Sequence, residues 1–286
     1  MTLPELLTPP TLDHVVINVL GRLDEACETY RRLGFDLTPR GHHSLGSSNH
    51  LAIFGNDYLE LLGYEPGKEG NRADLWRHPP GLTGLVFKET DIDARYGDLQ
   101  ARGVPVEPPL AFTRPVQAQG GSKDARFRVL RIAPGEVENG RTFFCHHGTP
   151  ELVWRAEWQS HPNGVTGVRE FIIASHEPAR TASIYYRMFG PGLLVPSQDG
   201  VSFAAGPSTV LISPPRAVEA RFGVAPELGP DGSARMVGLV YRTASLDDVR
   251  SVLKRHEIPQ TAFAEGFVVE PSHAAGVISA FVEDPA

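Results

Sequence analysis

The chain has 286 residues, 41% hydrophobic and 21% charged, a composition that excludes intrinsic disorder and gives room for two ordinary domains. Its formal net charge is −7 with no run of Lys or Arg, which argues against nucleic acid or an anionic membrane as the main partner. Two cysteines, Cys27 and Cys145, are too few for a disulfide framework and fit a reducing, cytoplasmic setting. The opening MTLPELLTPP has neither a basic n-region nor a long apolar run, so neither a signal peptide nor a membrane span is expected there.

Residues 1–10, with Pro9-Pro10, read as a short extended lead-in. LDHVVINV is a β-branched run that predicts a strand. In RLDEACETYRRLGF, Leu23, Ala26, Cys27, Tyr30 and Leu33 recur at helical spacing, and Gly34 supplies a stop. A short strand near Phe35–Thr38 is expected next, then HLAIFG and YLELLGY as strands joined at Gly55-Asn56-Asp57. This makes one β-α-β-β-β unit. A second opens at Leu82, with a helix over Asp91–Arg102 and strands near Phe127–Ile132 and Thr142–His147. Pro162-Asn163-Gly164 marks the joint between halves. A third unit carries a helix over Pro178–Phe189 and strands near Val201–Ala204 and Thr209–Ile212. The fourth has a helix capped by Ser245, with Asp247 and Asp248 in its first turn, and a last strand near Gly276–Val282. Val104–Lys123 and Pro214–Ser233, rich in Pro and Gly, read as surface loops or lids.

The units repeat one another. Gly84-Leu85-Val86-Phe87 aligns with Gly238-Leu239-Val240-Tyr241, and the segment opening at Thr11 aligns with that at Gly167, setting Glu170 opposite His14. The fold class that follows is α+β, built of four repeated β-α-β-β-β units. The expected division is a lead-in over 1–10, a first domain over 11–155 and a second over 156–286.

The segments LDHVVINV, GHHSLGSSN, NDYLELLGY, TFFCHHGTPELVW and SHPNG carry a resemblance to the vicinal oxygen chelate superfamily, and within it to the glyoxalase-like domain group. The resemblance implies a glyoxalase/bleomycin-resistance/dioxygenase-like cup with a divalent metal inside, ligated from the first and last strands of each unit. His14 matches the first such position. Glu60, flanked by Leu59 and Leu61, matches the second, and its carboxylate in an apolar strand calls for a partner. Gly84, on the first strand of unit two, falls where a second ligand often sits and is expected to leave space for substrate. On the strand TFFCHH, alternation puts His147 on the face expected for Glu60, and His147 is preferred over His146. His14, Glu60 and His147 form the expected metal set, for Zn, Ni, Mn or Fe. Glu60, His42 and His43 are the candidate proton carriers, and Ser48 and Asn49, with Gly84, the candidate substrate contacts. Units three and four look emptied: Glu170, Gly238 and Val210 stand at the ligand positions.

The function that the resemblance implies is metal-dependent lyase or isomerase chemistry on a small, oxygen-chelating substrate. Two other readings stay open: an extradiol-type non-haem Fe(II) dioxygenase, and a metal-free small-molecule binding or resistance protein. Members of the superfamily often dimerise to complete their cups, so a homodimer is an expectation, although this chain already holds four units.

Overall fold

The first strand is buried along almost its whole length because both of its faces meet apolar layers. In β1 (Leu12–Leu20), Val15 and Ile17 enter one core while Val16 enters another, the alternation of a sheet covered on both sides. α1 (Leu23–Arg32) then turns Leu23, Ala26, Cys27 and Tyr30 towards the first core. Gly34, at φ +89°, ends it: the Phe35 N–H donates to the Tyr30 carbonyl and the Gly34 N–H to the Arg31 carbonyl, the paired bonds of a Schellman stop. The computed structural model describes residues 9–118 and 121–284, so the expected lead-in over 1–10 lies outside the described residues apart from Pro9 and Pro10.

β2 (Gly41–His42), β3 (Ser48–Ile53) and β4 (Tyr58–Gly63) complete the first unit. A short α2 (Ala73–Trp76) leads to β5 (Gly81–Lys88), α3 (Ile92–Ala101), β6 (Leu110–Ala118), β7 (Gly121–Arg131) and β8 (Arg141–His147). The second half runs β9 (Val165–Ala174), α4 (Pro178–Phe189), β10 (Val195–Ser197), β11 (Gly200–Ala205), β12 (Ser208–Ser213), α5 (Pro215–Phe222), β13 (Arg235–Thr243), α6 (Leu246–Arg255), β14 (Thr261–Phe263), β15 (Gly266–Val269) and β16 (Ile278–Glu283). Two eight-stranded mixed sheets result, in the orders β2-β3-β4-β1-β5-β8-β7-β6 and β10-β11-β12-β9-β13-β16-β15-β14. In each, two antiparallel central strands pair on their outer sides, in parallel, with the last strand of their own unit. No helix among the described residues is long and apolar enough to cross a membrane.

The registers relate the units residue by residue. Val16 pairs with both Glu60 and Gly84, and Val86 pairs with both His14 and Phe143. The local two-fold between β1 and β5 therefore exchanges His14 with Gly84, and Glu60 with Phe143. In the second sheet the equivalents are Glu170, Gly238, Leu211 and Ala280. The alignment made from the sequence shifts accordingly: Leu211, not Val210, corresponds to Glu60.

The stretch Val104–Lys123, expected as a loop, holds β6 and the start of β7. Pro115 is tolerated because β6 is an edge strand, where a missing N–H breaks no interior ladder. In Pro214–Ser233, also expected as a loop, Pro215 opens α5 at a position where a helix needs no N–H. The strand expected near Phe35–Thr38 is irregular backbone instead, and β2 forms further on.

The helix-bearing sides of both sheets share one continuous core, in which Phe35 of the first half packs on Tyr241 at 5.1 Å and Phe87 on Phe189 of α4 at 5.0 Å. Each such fully buried large side chain contributes about 1.5–3 kcal/mol. Asp57, in the turn between β3 and β4, crosses this joint by accepting the Val168 N–H at 3.0 Å. Burial pushes its carboxyl up from an ordinary 3.8 to about 7, against the Val168 N–H and Arg242, which pull it down. Between about pH 4 and pH 7 the unfolded chain ionises while the folded carboxyl keeps its proton, so this group costs stability as pH rises through that window. Asp57→Asn keeps an acceptor for Val168 and has no charge to desolvate. The stability of the variant relative to wild type, from urea unfolding, is expected to rise between pH 4 and pH 7 by up to about 4 kcal/mol. A difference that does not move with pH would refute the shift.

Candidate active site

The first cup encloses a cavity of about 60 Å³, and His14 and Glu60 both line it. His14 owes its setting to an irregularity in β1. The pairing of β1 with β5 slips between Leu12 and His14, the signature of a β-bulge, and this brings the Asp13 side chain beside that of His14 rather than onto the opposite face. Asp13 Oδ1 lies 2.6 Å from His14 Nδ1 and 3.0 Å from His147 Nε2. A carboxylate can only accept, so both imidazoles donate to it. His14 is thereby held with Nε2 as its open atom, 3.8 Å from Glu60 Oε2. Tyr58 stacks on the His14 ring at 4.4 Å and fixes its plane. Burial works to raise the Asp13 carboxyl, but His147 and His14 outweigh it and hold Asp13 well below the usual carboxylate range.

Glu60 is held from the other side. Asn49 Nδ2 donates to Glu60 Oε1 at 2.7 Å and contacts His43 Nε2 at 3.2 Å. His43 Nδ1 meets Ser47 Oγ at 2.8 Å, and Arg114 Nη1 donates to Asn49 Oδ1 at 3.5 Å. The network leaves Glu60 Oε2 facing His14. Burial works to raise the Glu60 carboxyl, yet His43, His14 and the Asn49 amide leave it lowered. Burial pushes His43 down to about 4, with Glu60 opposing, so its imidazole is neutral near pH 7.

The segment GHHSLGSSN splits between two environments. His43, Ser47 and Asn49 line the cavity. His42 is an exposed side chain that bonds Ser48 Oγ at 3.0 Å, away from the cavity, so neither of these two expected residues reaches it. Gly84, expected to leave room for substrate, leaves it for a neighbouring side chain instead: a Cβ there would stand 2.6 Å from the Val16 Cβ. His147 and Asp13 sit behind the cavity wall, with His147 packed at 4.6 Å on Trp154 and His146 turned to the Glu89 carbonyl. Asp13 was missed as a site residue because adjacent strand residues ordinarily face opposite sides, and nothing in LDHVV marks the bulge.

Two donor groups could hold a cation. His14 Nε2 and Glu60 Oε2, facing each other across 3.8 Å, can both reach a single ion at bond lengths of about 2.1 Å. Asp13, Cys145 and His147 each place a ligand atom within 4.8 Å of the others. Buried Asp13 Oδ2 and His147 Nδ1 have no hydrogen-bond partner among the described residues. Against the second group, Asp13 already serves His14, and burial pushes the Cys145 thiol well above its ordinary value.

The second cup is filled. Val218 and Phe222 of α5 pack on its inner face, and Arg221 donates to Glu170 at 2.6 and 3.0 Å. A guanidinium thus neutralises the one carboxylate left at a ligand position there.

A family model described as a glyoxalase-like domain matches residues 12–189. No curated protein matches the sequence. Among solved structures, a hypothetical protein from Staphylococcus aureus superposes with a TM-score of 0.68 at 15% identity, over 96% of this chain and 100% of that one. A xylose isomerase-like TIM barrel/4-hydroxyphenylpyruvate dioxygenase fusion protein gives 0.57 at 13% identity, over 100% of this chain and 50% of that one. A mutant 4-hydroxymandelate synthase from Streptomyces coelicolor gives 0.50 at 12% identity, over 97% and 93%. At these identities the likeness is one of fold alone.

Proposed function

The chain belongs to the glyoxalase-like domain family of the vicinal oxygen chelate superfamily, and from that premise we propose that its first cup is a metal-dependent active site of lyase or isomerase type, acting on a small substrate with neighbouring oxygens. The observation that carries this reading is the pair His14 Nε2 and Glu60 Oε2, 3.8 Å apart in the cavity, each tied from behind by Asp13 or Asn49. A metal-bound imidazole almost always donates its other N–H to a carboxylate or carbonyl, and His14 is arranged that way before any ion arrives. A divalent ion held there would supply Lewis acidity to a substrate carbonyl or enolate.

The chain's own side chains do the rest. Asp13 fixes the tautomer of His14, and His147 holds Asp13. Asn49 keeps Glu60 Oε1 occupied and Oε2 open. His43, with Nε2 3.8 Å from Glu60 Oε1, stands on the cavity wall where it can take and return a substrate proton. Phe112 and Phe127, stacked at 5.1 Å, close the apolar side and keep water from the reacting atoms.

Equilibrium dialysis of the chelator-treated full chain against Zn, Ni, Mn and Fe, with elemental analysis, tests the assignment. We expect one equivalent bound, unchanged in Cys145→Ser. No binding of any of the four would leave the metal-free binding protein as the function. Loss of binding in Cys145→Ser would move the ion to the Asp13–Cys145–His147 group. Iron with catechol-dependent oxygen uptake would favour the ring-cleaving dioxygenase.

A further inference from the structure

The cavity carries more positive charge than its one carboxylate can balance. Four arginines line it: Arg72, Arg114, Arg131 and Arg141. Two of them are already paired with acids away from the centre, Arg72 with Asp74 at 3.2 Å and Arg131 with Glu107 at 2.6 Å. The other two are not. Arg114 is 3% exposed and, among the described residues, donates only the long 3.5 Å bond to Asn49 and leaves its buried Nη2 without a hydrogen-bond partner. Arg141, on β8 at the position two-fold related to Tyr58, makes no ion pair or side-chain hydrogen bond among the described residues and lies over the Phe143 ring at 5.3 Å. A buried guanidinium with an unmet donor is costly unless something else supplies the acceptor. Glu60 cannot, because Asn49 holds one of its oxygens and the other faces His14.

We propose that Arg114 and Arg141 form an anion subsite in the first cup, which takes the carboxylate or phosphoryl group of a small substrate whose body rests on Phe112 and Phe127. The subsite rests on the reading of this cup as a substrate site, but not on whether a metal is bound there. Two forked guanidiniums match the paired oxygens of such an anion and orient it, so the remaining substrate oxygens are turned towards His14 and Glu60. The substrate is therefore charged, and neutral dicarbonyls are poor ligands.

The test is calorimetric titration of the chelator-treated full chain with pyruvate, with inorganic phosphate and with butane-2,3-dione. We expect pyruvate, phosphate or both to bind at least about tenfold more tightly than the uncharged dione, and Arg141→Gln to remove that advantage. Pyruvate alone identifies a carboxylate and phosphate alone a phosphoryl group. Arg141 is partly exposed, so its variant should keep the wild-type melting temperature; Arg141→Lys, retaining charge without the fork, should recover only part of the affinity. Equal binding of dione and anions, or unchanged anion binding in Arg141→Gln, would overturn the subsite. Because no metal is present, failure here leaves the metal assignment standing, and loss of metal binding leaves the subsite standing.

Discussion

Glu60→Gln and His14→Ala are each expected to weaken divalent-ion binding by at least about 100-fold, with the fold intact. The size follows from the small number of donors. His14 Nε2 and Glu60 Oε2 face each other inside the cavity, while the His43 Nε2 that also approaches Glu60 is taken up by the Asn49 amide, so removing either His14 or Glu60 halves the protein's contribution. Changing even residues behind the ligands commonly costs about 10–100-fold in metal affinity. Glu60→Gln is the sharper of the two. It keeps volume and an oxygen acceptor for the Asn49 amide while removing the charge that a divalent ion needs. Near-UV circular dichroism should be unchanged, which separates lost ligation from lost structure. A Glu60→Gln protein that still binds a full equivalent of metal at wild-type affinity would show that the ion sits elsewhere.

Gly84→Ala should be among the most destabilising single substitutions in the first sheet. An added Cβ would stand 2.6 Å from the Val16 Cβ and 2.7 Å from a Val16 methyl, in the fully buried centre of β1 and β5. Overpacking of this kind costs about 1–3 kcal/mol, and here neither central strand is free to move. Val16→Gly removes both atoms that the new Cβ would meet; it should be destabilising by itself yet rescue much of the loss in the double variant, a coupling that a thermodynamic cycle measures directly. Additive effects of the two substitutions would refute the contact. The same geometry explains why a ligand could not simply be restored at position 84: Val16 already occupies the space an imidazole would need.

The repeats made the architecture legible. The alternation in β1, the helical spacing of Leu23, Ala26, Cys27 and Tyr30, the Gly34 stop and the Ser245 cap are local signals set by backbone geometry, and each appears where the residues placed it. Where local signals failed, edge and context had overridden composition. Pro115 sits in a strand because β6 has a free side, and Pro215 starts a helix because that position needs no donor.

For the site, sequence and tertiary structure divided the work differently. The sequence by itself determined the family, the cup, and the placing of His14 and Glu60 on strands that meet at its centre, because strand period and repeat symmetry are properties of the chain alone. Only the tertiary structure decided which atoms face one another. A bulge at Asp13 turned a neighbouring carboxylate beside His14, and His147 became its second partner. The strand registers made Phe143 the two-fold mate of Glu60, and Val16 filled the gap left by Gly84. Two arginines from β6 and β8, distant in sequence, converged on one small cavity. Side-chain direction within a strand reverses with every residue, so a single bulge or slip reassigns a whole constellation, and pairing between remote strands is what fixes it.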